Sequence, residues 1–86
     1  MASDLEKAQI MFKLARKNNW NNRYDRTEHF KRFQNLKELI KNLSKINWIK
    51  IHSKPNYTGI SLNTEYKQEI IGFIEMNLPE LRGVIK

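Results

Sequence analysis

Eighty-six residues, 40% hydrophobic and with no cysteine, make one domain with a small core and exclude a disulfide framework or a thiolate metal site. No apolar run approaches the roughly 20 residues needed to span a bilayer, and no basic stretch followed by an apolar one marks a signal peptide, so a cytoplasmic protein is expected. The net charge of +7 is uneven: residues 1–54 hold 13 Lys/Arg against 5 Asp/Glu, a balance of +8, while residues 55–86 hold 3 against 4, a balance of −1, which points to a polyanion-facing side.

Leu5, Ala8, Phe12 and Ala15 recur at helical spacing and predict a first helix over residues 4–18, with Ser3 and Glu6 as a capping box. Ile10, Met11 and Leu14 widen its apolar arc beyond what one core requires of a surface helix. Residues 18–24 form an asparagine-rich connector whose Trp20 and Tyr24 are expected to close over the core. A second helix is predicted over 26–33, capped by Asp25 with Glu28 behind it, turning Phe30 and Phe33 inward. After a break at Gln34-Asn35, a third helix over 35–46, capped by Asn35, buries Leu36, Leu39, Ile40, Leu43 and Ile46. Lys37, Lys41 and Lys45 recur at i, i+4 and i+8 opposite that face, as one basic stripe.

A hairpin is predicted over 48–62. Ile49, Ile51, Ile60 and Leu62 point to one face, and Trp48, Lys50 and His52 to the other. Residues 54–59 are its tip, with Gly59 suited to a positive φ. A last helix over 64–77 is limited by Pro79, and one more turn is expected around 80–82. The fold class is α+β, mostly helical: three helices, a two-stranded hairpin and a C-terminal helix, one domain over 1–86.

In this order, Asp25-Arg26-Thr27-Glu28-His29-Phe30-Lys31-Arg32-Phe33 as second helix, 35–46 as third, and 48–53 with 58–62 as the hairpin, the chain resembles the winged helix-turn-helix DNA-binding superfamily over residues 4–77. The resemblance implies a third helix in the major groove of DNA and a wing on the backbone or minor groove. Carried over, Gln34, Asn35, Lys37, Glu38, Lys41 and Asn42 would face the groove, and Lys45 a phosphate. Lys50, His52, Lys54, Asn56 and Tyr57 would make wing contacts, and Arg23, Arg26 and Lys31 backbone contacts. It implies a transcriptional regulator or a chromosomal architectural protein, nucleoid-associated and without a cofactor. The competing readings are a protein-interaction module of a larger transcription or replication assembly, and an RNA-binding domain. The lack of an aromatic sheet platform in the pattern favours a duplex.

Catalysis finds little support: the glycines Gly59, Gly72 and Gly83 are far apart, and the serines have no positioned base in sequence. His29 and His52 have neither cysteine partners nor i, i+4 spacing, which argues against a metal site. The broad apolar arcs of the first and last helices suggest a two-fold homodimer through Ile10, Met11, Leu14, Ile71, Ile74, Leu78 and Leu81. The alternative is that those helices bury against each other and the aromatic loop.

Overall fold

The computed structural model describes residues 4–85. It is an α+β domain in which three α-helices pack on one face of a three-stranded antiparallel sheet. Helix α1 (Asp4–Arg16) ends two residues before its predicted limit, where Asn18 turns to φ 61°. Asparagine tolerates this left-handed conformation better than most residues. Ala8, Ile10, Met11 and Leu14 of α1 are fully buried, whereas Leu5, expected on that stripe, is exposed. The Ser3 half of the predicted capping box lies outside the described residues.

The segment predicted as a second α-helix folds otherwise. Asp25–Arg26 is a strand, β1, and Thr27–Phe30 is a single 3-10 turn. Asp25 is therefore no helix cap: its carboxylate accepts from Lys17 Nζ (3.1 Å), His29 Nδ1 (2.6 Å) and the Arg26 amide (3.0 Å). Phe30 and Phe33 still turn inward, because the Phe33 amide reaches the Phe30 carbonyl in a tight turn. Helix α2 (Leu36–Lys45) follows, begun by the bond from the Leu39 amide to the Asn35 carbonyl rather than by an Asn35 side-chain cap. It buries Leu39, Ile40 and Leu43, and Ile46, expected in that row, is left exposed just past its end.

Strands β2 (Ile49–Ser53) and β3 (Thr58–Leu62) form the hairpin, and β1 adds to the free edge of β3, giving the order β1-β3-β2. The sheet thus has three strands where two were expected. The pairs Ile49↔Leu62 and Ile51↔Ile60 face the helices, while Lys50↔Ser61 and His52↔Gly59 face away. Trp48, expected on the outer face, precedes β2 and packs edge-on against Phe73, with ring centroids 5.5 Å apart. Gly59 lies inside β3 with no positive φ; it is needed because the Tyr24 ring lies on it, and a Cβ there would come within 2.3 Å of Tyr24 Cδ1.

A 3-10 turn (Thr64–Tyr66) leads into helix α3 (Lys67–Asn77), and a last 3-10 turn (Pro79–Leu81) takes the place of the one expected around 80–82. Ile10, Met11, Leu14 and Ile74 are wholly inside the core, with Leu78 almost so. The first four offer no surface to a second copy and Leu78 very little; of the predicted dimer contacts only Ile71 and Leu81 stay half-buried. The broad arcs of α1 and α3 are consumed by packing against each other, the sheet and Trp20. Among the described residues, no helix is long and apolar enough to cross a membrane.

Candidate nucleic-acid interface

Helix α2 carries Lys37 and Lys41 toward the hairpin rather than away from all other structure. Lys37, Lys41 and Ser44 stand at i, i+4 and i+7 and line one side of a cavity of about 360 Å³. Leu36 and Ile40 supply its floor, and Thr27, Ile51 and Thr58 its far wall. Ile51 was expected in the core. It faces the helices, but α2 does not cover the hairpin's outer half, so it is 47% exposed and becomes a groove wall.

A second concavity continues this surface around the start of α2. Lys31, Phe33, Gln34, Asn35, Leu36, Lys37 and Glu38 line it, so the two share Leu36 and Lys37. Five of the predicted contact residues, Lys31, Gln34, Asn35, Lys37 and Glu38, are thereby on one surface with Lys41. Lys45 is exposed one helical turn beyond Lys41. Its neighbour Asn42 is half-buried, and neither Asn42, Arg23 nor Asn56 lines either concavity.

The remaining predicted contacts gather on the opposite face of the sheet, around an aromatic cluster that the sequence pattern did not disclose. Tyr24 stacks on His52 at 4.6 Å between centroids, and the Tyr24 and Tyr57 hydroxyls are 2.6 Å apart. The Arg26 guanidinium lies 4.3 Å from the Tyr57 ring centre, and Lys54 Nζ lies 5.6 Å from that of Tyr24. His52 Nε2 also sits 3.0 Å from Ser61 Oγ and 3.2 Å from the Asn21 carbonyl, to which the Ser61 hydroxyl donates. The Tyr24 hydroxyl raises the Tyr57 pKa above the ordinary phenol value, with desolvation acting in the same sense. Lys50 shares this outer face by register. An aromatic layer on a sheet face is therefore present, although its side chains are mostly engaged with one another.

Missed by sequence reasoning were Tyr24 as a partner of the hairpin, Thr27, Ser44 and Thr58 as groove residues, and the whole solvent side of α1. A usable signal was the alternation through Tyr57 and Thr58, which sends the first outward and the second to the groove. Among the described residues, no group of three or more His, Asp or Glu is arranged to hold a metal ion. Comparison with protein-family models, curated proteins and solved structures gives no match.

Proposed function

We propose that this protein binds duplex DNA in the manner of a winged helix, with α2 directed at the major groove and the hairpin at the backbone. The observation that carries the reading is the lysine row of α2, whose Lys37 and Lys41 border the same groove as Ile51 and Thr58 of the hairpin. The order of α1, β1, a 3-10 turn, the basic helix α2 and the hairpin supports the reading, with the turn standing where a winged helix has its second helix. The polar residues Gln34 and Asn35 at the start of α2 suit adenine edges, and the lysines suit guanine or phosphate. The role that follows is that of a transcriptional regulator or an architectural chromosomal protein. The experiment is a salt titration of duplex binding, competed with RNA. With roughly six to eight phosphates neutralised, affinity falls about 10³-fold or more between about 50 and 200 mM salt. Binding that ignores salt, or that RNA competes away at equal concentration, rejects the duplex reading.

The groove itself favours a second reading, a protein-interaction module. Leu36, Ile40 and Ile51 leave a concave apolar lining that a sugar-phosphate backbone does not fill, whereas an apolar side chain of a partner chain does. Ile51→Asp separates the two: it removes apolar docking and adds one negative charge, leaving Lys37 and Lys41 in place. Duplex affinity that survives this change within a few-fold favours DNA as the ligand of the lysine row.

A further inference from the structure

We propose that a cleft on the solvent side of α1, away from the α2 groove, binds a ligand carrying two or more phosphates. Gln9, Phe12, Lys13 and Arg16 of α1, Arg32 of the turn before α2, and Leu78 after α3 line an open cleft of about 350 Å³. Its polar lining is cationic or neutral, with no carboxylate. Lys17 pairs with Asp25, Arg26 with Glu28 and Lys7 with Asp4, whereas none of the three cations of this cleft has an ion-pair partner among the described residues. Three cations converging on one cleft without an acid repel one another, and an anion placed among them relieves that repulsion.

Two of the three are also held in place. Lys13 Nζ donates to the His29 carbonyl at 2.6 Å and lies 4.7 Å from the Phe30 ring centre. The Arg32 guanidinium lies 5.2 Å from the Phe33 ring centre. Phe30 and Phe33 are themselves a tilted pair, 6.4 Å apart, anchored in the core. One buried aromatic pair thus carries a cation on each ring and aims both at the same opening. Arg16, exposed and with no side-chain hydrogen-bond or ion-pair partner among the described residues, is the free fork of the site. Guanidinium groups match phosphate oxygens two at a time, and the apolar walls of Phe12 and Leu78 reduce solvent screening of those contacts. The volume lies at the lower end of small-ligand sites, about 300–1,000 Å³, which exceeds a single phosphate and suits a di- or triphosphate group. Two sources supply such a group: successive backbone phosphates of a nucleic acid, or a free polyphosphate compound.

The test uses the whole chain with inorganic pyrophosphate as probe, followed by amide chemical shifts and calorimetry at constant ionic strength. Saturable binding is expected, with shifts confined to residues around Phe12, Arg16 and Arg32. The pair Arg16→Ala with Arg32→Ala, both at exposed positions, should weaken it at least tenfold with an unchanged melting temperature. Shifts spread over all lysines, an affinity that sodium chloride alone reproduces, or an affinity indifferent to the double substitution would overturn the site. A duplex oligonucleotide separates the sources: a parallel loss of duplex affinity in the double variant assigns the site to backbone phosphates, and an unchanged one to a free compound. Failure of the α2 reading is read independently, since Lys37→Glu with Lys41→Glu leaves pyrophosphate binding intact.

Discussion

Two cationic regions flank the hairpin and differ in what their side chains already touch. On the outer sheet face, Arg26 covers Tyr57 and reaches Glu28 at 3.4 Å, Lys54 lies over Tyr24, and His52 is held between Tyr24 and Ser61. On the α2 face, Lys37, Lys41 and Lys45 are exposed and have no ion-pair partner among the described residues. A phosphate that recruits Arg26 must displace the Glu28 carboxylate, and the gain is offset by that loss. A phosphate meeting the α2 row breaks nothing. The same residue types therefore predict different affinities, and binding should concentrate on α2.

The largest expected effect tests that contrast directly. Lys37→Glu with Lys41→Glu should lower duplex affinity about 100-fold or more, roughly 2.7 kcal/mol or more, while stability stays within about 0.5 kcal/mol, as for other exposed positions. Arg26→Ala, measured in the same gel-shift series, should cost only a few-fold. Equal losses from the two faces would show that engagement with neighbouring side chains does not govern the cations' availability.

The next effect concerns the anchor of β1. Burial alone would push the Asp25 carboxyl up, but hydrogen bonds from His29 and Lys17, and their charges, outweigh it and hold the group below the ordinary aspartate value. Its stabilisation is therefore complete above the ordinary value of about 3.9 and is lost as pH falls through the lower folded value. Asp25→Ala should cost about 1.5–3 kcal/mol at neutral pH. In urea unfolding, the gap between native protein and variant should narrow below about pH 4; a gap equally wide at pH 2.5 and pH 7 would show that the ionised carboxylate is not what holds β1. Gly59→Ala comes next, at about 1–3 kcal/mol, because the new methyl lands on a Tyr24 ring already committed to His52 and Tyr57. Tyr24→Ala with Gly59→Ala should recover part of that loss; no coupling between the two would show the ring free to move aside.

The helices were legible because period-3.6 apolar rows of about three turns survive any tertiary context. Leu39, Ile40 and Leu43 define α2 as plainly in sequence as in the fold. β1 was not legible: two residues, one charged and buried, carry no alternation, and Asp25 looks like a cap until its bonds to Lys17 and His29 are seen. Ile51 was assigned to the core because alternation tells which face a strand residue occupies, not how far the covering helix extends. The width of the α1 and α3 arcs suggests an interface in sequence, but spacing does not tell how many sides of a helix its own chain covers, and Ile10 and Ile74 are completely buried within one copy. Of the candidate site, the lysine row was legible from spacing alone. The phosphate cleft was not, because Lys13 and Arg32 meet only once Phe30 and Phe33 pack.

The smallest expected effect sharpens the distinction between fastened and available groups on the outer face. The Tyr57 phenol is held above its ordinary value, chiefly by the hydrogen bond shared with Tyr24. A raised value means that the bond's contribution is fully present below the ordinary phenol pKa of about 10 and disappears as pH rises through the folded value. Ultraviolet titration of tyrosinate should show one tyrosine ionising late, and Tyr24→Phe should return it toward the ordinary value. If this face only fastens β1 to the hairpin, Tyr24→Phe leaves duplex affinity unchanged at neutral pH. A loss of affinity accompanying the shifted titration would instead mean that the two hydroxyls hold Arg26 or Lys54 ready for a ligand, and the outer face would join α2 as a binding surface.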